Sequence, residues 1–153
     1  MKKQIICLLI SFISLTGFSQ NESTRIKQFN LERNIAIKGY DPVAYFKQGK
    51  AVKGKKELTS TFEGVIYNFS SATNKELFLK NQSAYEPQYG GWCAFAMGDS
   101  GEKVDINPET FKIIEGKLYL FYNAYFNNTL KSWNKNQLGL KSKADANWKK
   151  IIQ

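Results

Sequence analysis

The sequence of 153 residues contains no histidine. Histidine is the general base of Ser-His-Asp and Cys-His catalysis, and it is a common protein ligand of zinc and haem iron. The chain therefore cannot build any of these centres from its own residues. Cysteine is nearly as scarce: Cys7 and Cys93 are the only two, so the sequence has no Cys-x-x-Cys redox motif.

Arginine is also rare, because Arg25 and Arg33 are the only arginines among 22 basic residues. With 13 acidic residues the formal net charge is +9, and such a balance can attract nucleic acid or anionic membranes. The lysines, however, are dispersed along the chain and form no basic helix. We therefore expect an exported domain without a nucleic-acid partner.

The first 20 residues have the pattern of a signal peptide. Lys2 and Lys3 precede an apolar core at residues 5–15, and a small, polar segment ends near Gln20. That core is too short to span a bilayer, so no stable membrane anchor is expected after removal of the leader. We expect a periplasmic or secreted protein in which residues 21–34 are a lead-in and 35–153 a single domain.

Removal of the leader would also remove Cys7, so that Cys93 becomes the only thiol of the exported chain. An intramolecular disulfide is then impossible. A single cysteine in an oxidising compartment is either buried and inert or exposed and reactive. The sequence leaves both alternatives open.

The remaining patterns predict an α+β fold: a small antiparallel sheet built from two hairpins, with about three packed helices. Each hairpin places a Glu-Gly turn between runs of β-branched and aromatic residues. The hairpins cover residues 59–69 and 111–122, and a short strand is expected at 31–37. Apolar residues recur at helical spacing in three segments, 73–81, 123–135 and 140–152.

The stretch from residue 85 to residue 97 is the most unusual part of the chain, since it holds four aromatic residues, a Gly-Gly pair and Cys93. Tyr89 and Trp92 from this stretch, together with Tyr40 and Asp41, are candidates for lining a small-ligand pocket. The structural alternative is that the aromatic side chains fill the core and that Asp41 caps a helix starting at the following proline.

Cys93 and Met97 are four residues apart. On a helix they would share a face, and a thiolate with a thioether suits Cu(I), so a copper ion is the candidate cofactor. On a strand they would lie about 13 Å apart, too far to bind one ion. The alternative is a buried cysteine and a core methionine, because free cysteine is among the most buried residue types.

Five separated motifs resemble the exported subfamily of YHS-domain proteins, and the resemblance spans about residues 35–150. The motifs are YDPVAYF at 40–46, YNFSS at 67–71, YGGWCAFA at 89–96, GKLYL at 116–120 and ADANW at 144–148. The resemblance implies a small α+β domain. It also implies a link to heavy-metal transport and to metal binding through cysteines.

The positions that match the cysteines of the wider YHS group are Ala44, Ser70 and Asn74. The metal site that the resemblance implies is therefore not carried over to this chain. Cys93 matches the Gly-Gly-x-Cys-Ala motif of the exported subfamily, in which some members carry selenocysteine. The resemblance therefore implies redox or soft-metal chemistry at a comparable position.

Three functions follow as hypotheses. The first is a non-enzymatic exported binding module that holds a soft metal ion or small ligand near Cys93, with Met97 and the tyrosines as the wall. The second is a thiol redox protein that uses Cys93 alone. The third is a structural or interaction domain in which Cys93 is buried.

Overall fold

The computed structural model describes residues 17–153, with side chains from residue 22 onward. Residues 1–16 of the predicted signal peptide lie outside the described residues, and its last four residues begin the first helix. Within the described range the α-helices are α1 (Gly17–Gln28), α2 (Pro42–Lys47), α3 (Ala72–Lys80), α4 (Gln82–Tyr85), α5 (Ala94–Asp99), α6 (Thr129–Lys135) and α7 (Gln137–Ile152). The strands are β1 (Leu31–Glu32), β2 (Ile35–Ala36), β3 (Lys55–Phe62), β4 (Val65–Phe69), β5 (Asn107–Ile114), β6 (Lys117–Phe121), β7 (Asn123–Ala124) and β8 (Asn127–Asn128). Two 3-10 turns lie at Ile37–Gly39 and Gln88–Gly91.

Both predicted hairpins are present, which confirms the α+β class. Glu63 and Gly64 join β3 to β4, and Glu115 and Gly116 join β5 to β6. All four turn residues have positive φ angles, between 45° and 81°. A type I′ hairpin turn needs positive φ at both central positions, and glycine reaches it without a steric cost.

The two hairpins lie in separate sheets, whereas the sequence patterns suggested one sheet. The first hairpin is part of a four-stranded sheet of order β1-β2-β4-β3, in which β2 runs parallel to β4. The second forms a two-stranded sheet with β6 buried on both faces. Leu118 and Leu120 pack into one hydrophobic cluster, and Tyr119 and Phe121 pack into another. The second hairpin therefore separates two halves of the core.

The segment from residue 21 to residue 37 differs from the prediction. The expected lead-in is helical, because α1 runs to Gln28 and packs on α7 and β4. The expected single strand at 31–37 reverses direction at Arg33 and Asn34, whose φ angles are 53° and 65°. This turn yields β1 and β2, and β2 then pairs with β4.

The predicted helix at 123–135 is wrong in its first half. Residues 123–128 form the short β7–β8 hairpin, and α6 begins only at Thr129. Tyr125 and Phe126, expected on the buried face of a helix, are at the hairpin turn and are fully exposed. The Asn128 side chain accepts from the Leu130 N–H at 3.1 Å and so fixes the start of the helix.

The stretch at 85–97 contains the second 3-10 turn followed by α5. Its short apolar run, ambiguous from the sequence, is thus helical. Between residues 17 and 153 no helix combines the length and apolar character needed to cross a membrane.

Candidate functional site

Asp41 is fully buried, and donors surround its carboxylate. One oxygen accepts from the N–H groups of Val43 at 2.9 Å and Ala44 at 3.3 Å, which confirms the predicted cap of α2. The other oxygen accepts from the Ser70 N–H at 2.7 Å, the Ser70 hydroxyl at 2.6 Å and the Asn74 amide at 2.7 Å. A carboxylate offers about four lone-pair sites, so the acceptor capacity of Asp41 is used within the protein.

The three positions that the predicted YHS resemblance aligns with cysteines meet at this carboxylate. Ala44 reaches it through its N–H, and Ser70 and Asn74 reach it through their side chains. The structure thus brings together positions that are far apart in the sequence. Their polar atoms bind Asp41 and offer no thiolate, so the residues present do not fit the soft-metal site of that group.

Tyr40 and Trp92 are half-buried, and each ring lies beneath a lysine. Lys53 Nζ is 4.7 Å from the centre of the Tyr40 ring, and Lys103 Nζ is 5.8 Å from that of Trp92. The Trp92 indole N–H donates to the carbonyl of Gln28 at 2.7 Å and so connects the end of α1 to the stretch at residues 85–97. Neither aromatic side chain lines the cleft described below.

Cys93 is fully buried just before α5. Its sulfur accepts from the Tyr122 N–H at 3.3 Å and lies 3.4 Å from the Thr129 hydroxyl oxygen. Because the Thr129 hydroxyl donates to the Tyr122 carbonyl at 2.9 Å, the thiol is the donor in its contact with Thr129. A thiol has one proton and one weak acceptor site, and both are used here. Cys93 therefore links the start of α5 to the end of β6 and to the first residue of α6.

Met97 is also fully buried, but it lies in the other half of the core. It packs in the cluster of Tyr119 and Trp133, whereas Cys93 belongs to the cluster that contains β4. A copper site needs both sulfur atoms, and a further ligand, around one space. Across residues 17–153 no cluster of three or more cysteine or acidic side chains is placed to bind a metal. The two side chains pack in different clusters and the Cys93 sulfur is already hydrogen-bonded, so this arrangement lends no support to a copper site, which stays a prediction.

A cleft of about 390 Å³ lies between α1, the Gln88–Gly91 turn and α7, and we call it the α1–α7 cleft. Its apolar wall is formed by the rings of Phe29 and Trp148, whose centres are 5.7 Å apart. Gly90 has a φ of 58°, and a Cβ there would lie 2.7 Å from Trp148 and 2.8 Å from Phe29. Only glycine lets the turn approach both rings.

One side of the α1–α7 cleft is a partly buried ion pair. Arg25 binds both carboxylate oxygens of Glu86, and the Tyr67 hydroxyl donates to the same carboxylate. Arg25 also lies 3.3 Å from the Glu63 carboxylate and 4.5 Å from the centre of the Phe29 ring. Burial, and after it the charge of Glu86, raises the pKa of Tyr67 well above its usual value. The tyrosine therefore stays protonated and donates to the pair.

Tyr89 is the predicted ligand residue that lines the α1–α7 cleft. Its hydroxyl donates to one oxygen of Asp145 at 2.9 Å, and Lys141 binds the other oxygen at 2.9 Å. Burial, followed by the hydrogen bond to Asp145, raises the pKa of Tyr89 above its usual value. The backbone φ of Tyr89 is 55°, a left-handed conformation that is uncommon for a bulky residue.

Sequence reasoning missed Arg25 and Glu86 as members of one site. Arg25 lies in the expected lead-in, and 61 residues separate it from Glu86. The one available signal was composition, because Arg25 is one of only two arginines in a lysine-rich chain. Arginine is the cation best suited to a buried, bidentate pair with a carboxylate.

Comparisons with protein-family models, curated proteins and solved structures find no match for this chain. The functional argument therefore depends on the geometry of the described residues.

Proposed function

We propose that this chain is an exported, non-enzymatic binding module of the YHS type, and that it holds a small organic ligand in the α1–α7 cleft. The cleft itself carries the proposal. Its volume of about 390 Å³ is within the range of small-molecule sites, which are mostly apolar with a few placed polar groups. Here Phe29 and Trp148 supply the apolar wall, and the Arg25–Glu86 pair supplies the polar side.

The polar groups of the cleft favour binding over catalysis. General acid–base catalysis works best when the pKa of the reacting group is close to the working pH. The pKa values of Tyr67 and Tyr89 are both raised, away from neutrality. Their hydroxyl protons are also engaged, with Glu86 and Asp145 respectively. Tyr89 lines the cleft and can orient a ligand, whereas Tyr67 is fully buried and acts only through its hydrogen bond to Glu86. Neither hydroxyl is placed to exchange protons with a ligand.

The ligand chemistry that fits the cleft is a ring-bearing molecule with a polar end. Its ring would lie against Trp148 and Phe29, since aromatic pairs prefer offset or tilted contacts at such distances. Its polar end would meet the Arg25–Glu86 pair or the exposed carboxylate of Asp145. Lys149 at the rim adds a cation for an anionic group.

In this proposal Cys93 has a structural role and the ligand site lies elsewhere. Cys93 does not line the α1–α7 cleft, and its thiol is fully hydrogen-bonded. The copper and redox hypotheses both require an accessible sulfur. Support for the YHS assignment comes from the five motifs and from the meeting of Ala44, Ser70 and Asn74 at Asp41.

The test is a ligand screen with a blocking variant. Ser83 is exposed and lines the α1–α7 cleft, whereas its neighbour Ala84 is exposed but does not line it. Ser83→Trp should therefore fill the cleft, and Ala84→Trp is the matched control. Aromatic carboxylates and aromatic amines would be screened by NMR, with the indole N–H signal of Trp148 as the readout.

We expect a binder to shift the Trp148 signal in the wild type and in Ala84→Trp. In Ser83→Trp its affinity should fall at least about 10-fold, because the new side chain excludes the ligand's ring from its apolar contacts. Equal affinity in both variants would place the ligand outside the cleft. A panel that shifts no cleft signal at millimolar concentration would contradict the proposal.

A further inference from the structure

A second concavity, separate from the α1–α7 cleft, lies on the face of the four-stranded sheet that points away from the core. It has a volume of about 520 Å³, and we call it the sheet groove. Val65, Tyr67 and Phe69 of β4 point into the core, so the intervening Ile66 and Asn68 face this groove. Ile66 and Asn68 therefore form the floor of the sheet groove on this strand.

The Asn68 amide lacks the partners that a buried amide normally has. The residue is 6% exposed, and its Oδ1 is buried without a hydrogen-bond partner among the described residues. A buried polar group left in this state destabilises the fold, because it has lost its hydrogen bonds to water without replacing them. Asparagine at this position is therefore a poor choice for stability alone.

Two glycines allow neighbouring backbone to pack closely against Asn68. A Cβ at Gly39 would lie 3.3 Å from Asn68 Nδ2, and Gly39 has a φ of 78°. A Cβ at Gly54 would lie 2.6 Å from the backbone of Asn68, too close for any other residue. The Gly54 N–H donates to the Gly39 carbonyl at 2.9 Å, which holds the two segments together beside the amide.

The rim of the sheet groove is basic. Four basic side chains line it, Arg33, Lys38, Lys53 and Lys56, against a single carboxylate, Glu32. Two of the lysines are positioned by the protein. Lys53 donates to the Lys38 carbonyl at 2.6 Å and stacks on a tyrosine ring, and Lys38 pairs with Asp105 at 2.6 Å. Arg33 and Lys56 are exposed and form no ion pair with residues of the described range.

We propose that the sheet groove binds a small organic polyanion of the polycarboxylate class. Its carboxylates would neutralise Arg33 and Lys56, and a hydroxyl group such as that of citrate would donate to the unpaired Asn68 Oδ1. Its carbon skeleton would cover Ile66. Charge-assisted bonds to Arg and Lys are the stronger class of hydrogen bond. A carbon skeleton is required because the floor is apolar and the groove is larger than a bare inorganic anion needs. Tyr40, predicted as a ligand residue, acts here by positioning Lys53.

The probe is citrate, titrated into the protein at low and at physiological ionic strength and followed by NMR and calorimetry. The test variant is Arg33→Asn with Lys56→Gln, since asparagine tolerates the positive φ of residue 33. The matched control is Lys117→Gln with Lys131→Gln, which removes the same charge from exposed positions outside the groove. We expect the test variant to bind citrate at least about 10-fold more weakly, and the control less than about 2-fold, because only the test variant loses charge-assisted bonds to the ligand.

Asn68→Leu is a second variant that addresses the amide. It removes the buried unpaired group, so the midpoint of urea unfolding should stay the same or rise while citrate binding weakens. If it fails to fold, the charge variants still decide the outcome. An equal loss in the charge variant and its control would overturn the proposal, since it would show diffuse attraction to a basic protein. Tighter binding of inorganic phosphate than of citrate would overturn the assignment to an organic ligand.

Discussion

The buried carboxylate of Asp41 allows a sharp test of the structure. The perturbation is Asp41→Asn, which keeps the size of the side chain and one acceptor oxygen. That oxygen can still accept from the N–H groups of Val43 and Ala44 and so preserve the cap of α2. The other oxygen becomes an NH₂ group that faces three donors, two from Ser70 and one from Asn74.

The expected loss follows from which of these donors can adapt. The Ser70 hydroxyl can rotate and accept, and the Asn74 amide can turn over to offer its oxygen. The Ser70 backbone N–H, at 2.7 Å from the lost oxygen, has no such freedom. One buried unsatisfied donor costs about 1–3 kcal/mol, and the remaining bonds lose their charge-assisted character. We expect Asp41→Asn to lower the free energy of unfolding by about 2–4 kcal/mol, a large part of the total stability of a domain.

The assay is urea unfolding followed by circular dichroism, with the slope of the transition compared between variants. Ser71→Ala is the matched control, because Ser71 also caps a helix, but with a single bond from the Asn74 N–H at 3.1 Å. It should cost about 1 kcal/mol. If Asp41→Asn loses less than about 0.5 kcal/mol, as an ordinary surface substitution does, the network around Asp41 is refuted.

Three further predictions can be tested on the same protein. In a Cys7→Ser background, Cys93 of the folded protein should react with Ellman's reagent at least about 1,000-fold more slowly than Cys93 in urea. The reason is that the protein must open to expose the thiol, at a free-energy cost of about 4 kcal/mol or more. A fast reaction of the folded protein would support the redox hypothesis instead. Tyr89→Phe removes the hydrogen bond to α7 and should cost about 1 kcal/mol in unfolding free energy, so an unchanged unfolding midpoint would contradict the bond. Hydrogen bonds that outweigh the effect of burial lower the pKa of Asp105, and its bond to Lys38 raises the pKa of that lysine. The stability contributed by Asp105 is therefore lost as the pH falls through its lowered pKa. The stability contributed by Lys38 is lost as the pH rises through its raised pKa. Lys38→Met should lower the unfolding free energy by less than about 1 kcal/mol near neutral pH and leave it unchanged at low pH.

Local rules account for the parts of the fold that the sequence predicted well. Both Glu-Gly turns form as expected, because a hairpin turn depends on the conformations of two adjacent residues. The cap of α2 is of the same kind, since Asp41 and Pro42 satisfy the start of a helix through neighbouring N–H groups. Each of these features is decided within a few residues of the chain.

The prediction failed where a local pattern allowed two structures. The spacing of apolar residues at 123–135 fits a helix, but Tyr125 and Phe126 are exposed at a hairpin turn. Contacts outside the segment favour the hairpin. The Thr129 N–H and hydroxyl both donate to the carbonyl of Tyr122, just before the segment, and the Thr129 hydroxyl also contacts the distant Cys93. A pattern confined to the segment cannot contain that information.

The sequence by itself determined the absence of histidine chemistry, the α+β class, the two hairpin turns and the cap of α2. It also predicted that removal of a leader would leave Cys93 as the only thiol, but it left open whether that thiol is accessible. Only the tertiary structure decided that Cys93 is buried and hydrogen-bonded, and that Arg25 meets Glu86 across 61 residues. Burial and pairing depend on which distant segments pack together, and that packing is a property of the whole chain rather than of any local pattern.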